Sequence, residues 1–256
     1  MKEISGRHSL GQNFLKDEVV LTNIVNSVNV TDKDKLIEIG PGMGALTKYL
    51  KEFGLPLTCF EIDLRTKAFL DKLVDKNTNI VYEDFMKVNL DDYFNKSDDY
   101  HVIANIPYYI TTPIIEKLID SNLNILSMTL MVQKEVGDRL SSLPGSSNYG
   151  YFTSYLNYYY DVIKLFDVDK KSFNPVPKVD SAVIKLVSNK HKCSNYDMLI
   201  KLMKDSFKMK RKNLKNNLKD YDLDKISVIL NKYNHSLNNR AEDISIDEFI
   251  DIVNNY

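Results

Sequence analysis

Lys35-Leu-Ile-Glu-Ile39 runs straight into Gly40-Pro-Gly-Met-Gly44, and the residues that follow place Leu46, Leu50 and Phe53 at helical spacing. The apolar run reads as a buried strand and the glycines as a tight turn. The periodic segment reads as a helix that Gly54 and Pro56 stop. A strand, a glycine turn and a helix form the opening unit of an open α/β sheet. Outward from this unit, further strands are predicted at 57–62, 79–82, 101–104 and 126–132. Before it, Asp17 is placed to cap a helix carrying Val20, Ile24 and Val28 on one face. After the fourth strand, Thr112 and Pro113 open another helix, since proline at the first helical position loses no needed hydrogen bond. Strands separated by single helices imply a parallel sheet with right-handed crossovers.

The pattern changes near residue 160. Segments 159–168 and 181–187 are strand-like, and the proline-rich turn Phe173-Asn-Pro-Val-Pro-Lys178 between them is too short for a crossover helix. A hairpin at the sheet edge is expected, with one strand running antiparallel. Beyond about Asn189 the strand signal ends. Ser194-Asn-Tyr-Asp197 and Ser245-Ile-Asp-Glu248 match the helix-capping pattern. Two domains are therefore expected, an α/β domain over 1–188 and a small helical domain over 189–256.

Composition narrows the function classes. The chain has 256 residues, of which 43% are hydrophobic and 27% charged, enough for a packed core and unlike a disordered or fibrous chain. Cys59 and Cys193 are far apart, and His8, His101, His191 and His235 are scattered. Neither a zinc site nor a disulfide framework is expected, which suits a reducing cytosol. No apolar run approaches the roughly 18 residues that span a bilayer. Lys2, Glu3 and Arg7 are not followed by an apolar stretch, so a signal peptide is not expected. A cytoplasmic protein with no membrane contact is the expectation.

The net charge of −1 says nothing about nucleic acid, but its distribution does. Between His191 and Lys219 lie nine Lys or Arg residues against Asp197 and Asp205. Lys201, Lys204 and Lys208 recur at helical spacing opposite Leu199, Leu202 and Met203, with Arg211 just beyond. This is either a solvated helix face or a surface that tracks phosphates.

The glycine turn leaves the ligand open. Gly40, Gly42 and Ala45 satisfy a dinucleotide fingerprint, and Glu61 lies where a ribose partner is wanted. A nicotinamide cofactor and S-adenosylmethionine both carry an adenosine that fits. Glu38, Glu61 and Asp84 all fall in or at the ends of the first three strands of the sheet. Carboxylates there suit a cationic sulfonium better than a pyrophosphate.

Asn105-Ile-Pro-Tyr108 follows the fourth of these strands. The exocyclic amine of a nucleobase is a poor nucleophile because its lone pair is delocalised into the ring. The Asn105 side-chain oxygen and a backbone carbonyl at 106 or 107 could take its two hydrogens. The nitrogen would then pyramidalise with its lone pair aimed at a methyl donor. Pro107 stiffens the loop, and Tyr108 can stack on the base. The methylated amine is acidic enough to lose its proton to water without a general base.

With these motifs in order, the chain resembles the ribosomal RNA adenine dimethyltransferase family over nearly its whole length. The resemblance rests on Leu10-Gly-Gln-Asn-Phe-Leu15, Glu38-Ile-Gly-Pro-Gly42, Gly44-Ala-Leu-Thr47 and Glu61-Ile-Asp63. It continues through Asn105-Ile-Pro-Tyr108, Thr111-Thr-Pro113, Gln133-Lys-Glu-Val136 with Arg139-Leu140, and Tyr149-Gly150. It ends with Pro175-Val-Pro-Lys-Val-Asp-Ser-Ala-Val-Ile184 and Arg240-Ala-Glu242. Gln133-Lys-Glu-Val136 and Arg240-Ala-Glu242 resemble the branch that dimethylates two adjacent adenosines near the 3′ end of small-subunit rRNA. Ile106 and Tyr109 depart from that branch's commoner Leu and Asn, and Ile106 leans toward the erythromycin-resistance methylases of large-subunit rRNA.

The resemblance implies a Rossmann-like class I methyltransferase sheet, mostly parallel with one antiparallel strand, plus a C-terminal helical domain that binds RNA. It implies S-adenosylmethionine as cofactor, held by Asn13, Leu15, Gly40, Gly42, Glu61, Asp84 and Asn105. It implies Asn105, Pro107 and Tyr108 as the catalytic group. Phe173 would be a second wall for a flipped base or a plain core aromatic, and Lys201, Lys204, Lys208 and Arg211 would meet RNA. Gln133, Lys134 and Arg139 would either touch RNA or serve the helix end. The implied partner is small-subunit rRNA in a pre-30S particle, and the protein would act as a monomer. A nicotinamide-dependent oxidoreductase and a non-catalytic ribosome-assembly factor are the rival classes. The first leaves Asn105 to Tyr108 without purpose.

Overall fold

The computed structural model describes residues 13–105, 107–189 and 191–256. In chain order its elements begin with β1 (Phe14–Leu15), α1 (Glu18–Asn26), β2 (Lys35–Ile39), α2 (Ala45–Leu50), β3 (Leu57–Phe60), α3 (Lys67–Leu70) and β4 (Thr78–Val81). Next come β5 (Asp99–Asn105), α4 (Thr111–Asp120), β6 (Asn124–Gln133), α5 (Lys134–Leu140), α6 (Tyr151–Tyr159) and β7 (Tyr160–Val168). β8 (Phe173–Asn174), β9 (Ser181–Ser188), α7 (Tyr196–Phe207), α8 (Leu214–Asn217), α9 (Leu223–Asn231) and α10 (Ile246–Asn255) complete the chain.

Seven strands form one sheet in the order β4-β3-β2-β5-β6-β9-β7. The pairs β2–β3, β3–β4, β2–β5 and β5–β6 are parallel, and β6–β9 is antiparallel. The expected antiparallel strand is β9, and β7 lies beside it at the sheet edge. From β2 the chain winds outward to β3 and β4, then returns to the other side of β2 as β5. That reversal is a topological switch point, where open α/β sheets hold ligands at the carboxyl ends of their strands. Ile37, Val102, Ile103, Met128, Leu130 and Ile184 are fully buried in these strands. They are the near-continuous apolar runs of a sheet covered on both faces.

Two short strands fasten the N-terminal segment. β1 pairs antiparallel with β8, Phe14 opposite Asn174 and Leu15 opposite Phe173. The Asp17 carboxylate caps α1 by accepting from the Val19 and Val20 amides at 3.1 and 3.3 Å, and it accepts from the Ser172 hydroxyl at 2.9 Å. One acid thus stops the strap, starts the helix and ties both to the segment before β8.

The chain divides into two compact units, residues 1–137 with 163–188, and residues 138–162 with 189–256. Segment 138–162 groups with the C-terminal helices of 189–256. The reason lies in its side chains. Tyr151, Tyr155 and Tyr158 of α6 pack on the cluster built by Leu199, Leu202, Met203, Ile226, Leu230 and Phe249. Within that unit Ser245 and Glu248 form a reciprocal capping box at the start of α10. Asn195, one residue after Ser194 of the predicted capping motif, accepts from the Met198 amide to cap α7.

Candidate active site

One cavity of about 710 Å³ opens at the switch point. Its walls bring together Asn13, Leu15, Gly40, Gly42, Glu61, Asp84, Asn105, Pro107 and Tyr108, residues spread over nearly a hundred positions of sequence. The register explains the convergence. Ile39, Phe60 and Ala104 occupy one row across β3, β2 and β5, so the residues just beyond them emerge at one edge.

The glycine turn shapes the floor. Gly42 has φ +58°, and a Cβ there would lie 3.0 Å from the Phe14 ring of the strap. Gly44 has φ +78°, and a Cβ there would meet Leu73 at 2.4 Å. Both a left-handed backbone and close approach thus require glycine. The Gly42 amide donates to Glu61 Oε2 at 2.8 Å, and the Asp63 amide donates to Glu61 Oε1 at 2.8 Å. These bonds aim a largely buried carboxylate at the cavity while leaving lone pairs on both oxygens. Burial, helped by the nearby Asp63 carboxylate, raises the Glu61 pKa against the lowering effect of the backbone amides. Asp84 is held by the Met86 amide on Oδ1 at 3.0 Å, and its other oxygen is 3.9 Å from the Lys87 ammonium.

Glu38 lines the cavity from below and is 1% exposed. Its Oε2 accepts from the Thr47 hydroxyl at 2.6 Å and the Cys59 thiol at 3.4 Å. Desolvation pushes its pKa up to about 7 against the lowering effect of those two donors.

Asn105 ends β5 opposite Met131. After it, Pro107 leads into a 3-10 turn over Tyr108–Ile110. The Pro107 carbonyl accepts from the Ile110 amide at 3.2 Å, so one of its lone pairs is engaged within the turn. Ile106, the other source of the expected carbonyl, lies outside the described residues, as do Leu10, Gly11 and Gln12 of the first motif. Tyr108 is half-buried, and its hydroxyl shares a hydrogen bond of 2.6 Å with the Ser181 hydroxyl. Tyr109 also lines the cavity and is 66% exposed.

Phe173 requires a correction. It is 1% exposed, belongs to the main core cluster with Leu15 and Val183, and is not among the cavity-lining residues. Its neighbour Asn174 lines the cavity instead. Successive strand residues point to opposite faces, so pairing Leu15 with Phe173 turns the ring inward and Asn174 outward. Lys16 and Lys48, exposed at the cavity wall, escape sequence reasoning, because isolated lysines carry no pattern.

In the second unit, Lys201, Lys204, Lys208 and Arg211 are exposed, while Leu199, Leu202, Met203 and Ser206 of α7 face inward. The Lys201 ammonium lies 5.9 Å from the Tyr221 ring centroid. Lys204, Lys208 and Arg211 make no ion pair among the described residues. Lys134 is ion-paired with Asp167, which also takes Lys164 at 2.6 Å, and Arg139 is exposed. Among the described residues no cluster of His, Cys, Asp and Glu could hold a metal ion, and no helix is long and apolar enough to cross a membrane.

Solved structures share this architecture. A dimethyladenosine transferase from Plasmodium falciparum is 26% identical, with a TM-score of 0.76 over 93% of this chain and 95% of that one. The 23S rRNA methyltransferase ErmE is 21% identical, with a TM-score of 0.80 over 94% of this chain and 98% of that one, and shows the likeness of fold. Sheet order, glycine turn and strand-end carboxylates together define a class I methyltransferase.

The sequence narrows the class. A family model described as ribosomal RNA adenine dimethylase matches residues 4–256. A protein from Fusobacterium nucleatum named ribosomal RNA small subunit methyltransferase A is 42% identical over 98% of this chain and 97% of its own length. One of the same name from Oceanobacillus iheyensis is 36% identical over 100% of this chain and 94% of its own. The chain belongs to the ribosomal RNA adenine dimethylase family, and its activity is that of an rRNA adenine dimethyltransferase.

Proposed function

We propose that the protein transfers methyl groups from S-adenosylmethionine to N6 of two adjacent adenosines near the 3′ end of small-subunit (16S) rRNA, giving N6,N6-dimethyladenosine. The reading places it in small-subunit biogenesis, acting as a monomer on a pre-30S particle in the cytoplasm. The small-subunit assignment is supported by the names of the Fusobacterium and Oceanobacillus relatives. The chemistry is supported by one observation above all. A single cavity joins a glycine turn, the carboxylates of Glu61 and Asp84, and the Asn105, Pro107 and Tyr108 segment.

The residues present fit the donor. Glu61 keeps acceptor lone pairs for ribose hydroxyls after taking two backbone amides. Asp84 has an oxygen left for the adenine amine of the cofactor. Asn13 and Leu15, on the strap fastened by β8, would cover the cofactor, and the Gly40 and Gly42 backbone would lie against it. When bound, the donor supplies an electrophilic methyl group on a sulfonium. The Asn105 side-chain oxygen accepts one N–H of the target amine, and a peptide carbonyl of the same loop accepts the other. This holds the nitrogen pyramidal, with its lone pair directed at the methyl group. Tyr108 offers a ring face for the base, and the proton released after alkylation passes to water. The first transfer removes one N–H, so the second requires the amine to rotate or the substrate to rebind. In the helical unit, Lys201, Lys204, Lys208 and Arg211 supply cations for RNA phosphates.

The test is methyl transfer from labelled S-adenosylmethionine to 30S precursor particles and, separately, to protein-free 23S rRNA, with mass spectrometry of the products. Two dimethylated adenosines in 16S rRNA are expected. Label confined to 23S rRNA would overturn the small-subunit assignment, and no transfer to either would overturn the activity.

A further inference from the structure

β5, β6 and β9 lie side by side, and their register fixes a short distance between two hydroxyls. Asn105 stands opposite Met131, and Met131 stands opposite Val183. Two residues nearer the carboxyl edge of β6, Gln133 pairs with Ser181, the first residue of β9. The chain leaving β5 turns after Pro107, and this brings Tyr108 over the start of β9. Its hydroxyl meets the Ser181 hydroxyl at 2.6 Å.

Ser181 is an unusual occupant of its position. It is 0% exposed and is followed by Ala182, Val183 and Ile184, all fully buried. A buried hydroxyl costs free energy unless it is hydrogen-bonded, and an alanine would fill such a strand without that cost. Among the described residues the Ser181 hydroxyl has Tyr108 as its partner. The bond also restrains Tyr108. A phenol anchored at its tip cannot swing about its Cα–Cβ bond, so the ring plane is held while its face stays on the cavity wall. Tyr109, the next residue, has no such anchor among the described residues and is exposed.

We infer that Ser181 is a positioning residue for methyl transfer. Through its hydrogen bond it locks the Tyr108 ring in the orientation that receives the target adenine. This inference rests on the proposed role of Tyr108 as the base-stacking wall. Locking the ring before the base arrives removes the ordering cost from the binding step, which favours a productive pose over loose insertion.

A double-mutant cycle on the full chain tests it, with S181A, Y108F and the double variant. Y108F keeps the ring and loses only the phenol oxygen. Each single variant is expected to lower kcat/KM for the RNA about 5- to 10-fold, the scale of one lost hydrogen bond to a positioned group. The double variant is expected to fall no further, and affinity for S-adenosylmethionine is expected to stay within about twofold in all three. Losses that multiply would overturn the inference, and so would a Y108F enzyme with full kcat/KM beside a damaged S181A.

A second readout does not depend on activity. In protein labelled with 3-fluorotyrosine, the resonance missing from Y108F identifies Tyr108 by fluorine NMR. That resonance is expected to shift in S181A, and an unchanged signal would refute the lock even if the wild type transferred no methyl group. Absence of transfer by the wild type, with a shifted signal in S181A, would sink the functional reading and leave the lock standing.

Discussion

The Gly42 amide donates to the Glu61 carboxylate at 2.8 Å, joining the turn after β2 to the end of β3 across nineteen positions of sequence. A left-handed glycine whose φ is +58° presents that amide, and the bond makes the turn and the carboxylate one unit. Cofactor affinity should therefore depend on Glu61 twice, through its own acceptor oxygens and through the shape of the turn. Glu61→Ala is expected to weaken S-adenosylmethionine binding by about 2–4 kcal/mol, the scale of a charged hydrogen-bond network removed from a buried site. Isothermal calorimetry reads this directly. Affinity within twofold of wild type would contradict the assigned role.

Asn105 stands at the end of the switch-point strand on the cavity wall, and the proposed mechanism has its amide oxygen accept from the substrate amine. Asn105→Ala is expected to lower kcat by about 100-fold or more, as for loss of one preorganised polar group in a transition state. Affinity for the cofactor should fall less than about tenfold. Single-turnover kinetics beside calorimetry separates the two, and a variant that binds poorly but turns over normally would reverse the assignment.

Glu38 gives a pH dependence of stability. Its pKa is near 7 in the folded chain against 4.5 in the unfolded one, because burial disfavours the charge. A raised carboxyl pKa means that the folded state holds the proton more tightly. The favourable contribution is fully present below pH 4.5 and is lost as pH rises through 7. Glu38→Gln should therefore raise stability at pH 8 by on the order of 1–3 kcal/mol relative to wild type and by much less at pH 5. Denaturant melts of the ligand-free protein at the two pH values check this. Equal differences at both would remove the buried acid as the cause.

Phe173 is a core residue here, so its loss should be felt as stability. Phe173→Ala is expected to destabilise the protein by about 3–5 kcal/mol, the cost of an aromatic-sized cavity. Guanidinium denaturation measures it. A fully stable variant with defective methyl transfer would instead restore the ring to the substrate.

On the helical unit, changing Lys201, Lys204 and Lys208 together to Glu should weaken particle binding. It should also flatten the dependence of log affinity on log salt by about 0.7 for each RNA phosphate that is no longer neutralised. Since all three side chains are exposed, thermal stability should change little. An unaltered salt slope would take this face of α7 out of RNA recognition.

Much of the architecture is legible in the sequence because it follows from local chemistry. Asp17 announces α1, the glycines announce the turn after β2, and the apolar runs announce the strands. The short link between β7 and β9, too short for a crossover helix, announces the antiparallel strand β9. Segment 138–162 reads with the sheet side because its helix carries tyrosines, whose side chains fit either neighbour; the cluster they pack on is built from residues roughly 40 to 100 positions later. Phe173 and Asn174 are ambiguous for a related reason. A two-residue strand has no periodicity of its own, and only pairing with Leu15 and Phe14 decides which side chain faces in.

By itself the sequence determined the main strands of the sheet, the glycine turn, the acids at strand ends and the family. All of these are written in short stretches whose meaning depends on neighbours along the chain. Tertiary structure alone decided that Gly42 would hold Glu61, that Glu38 would be sealed under the cavity, and that Ser181 would reach Tyr108. These relationships arise between strands brought together by a crossover. Their distances are set by sheet register and burial, which no local pattern of residues encodes.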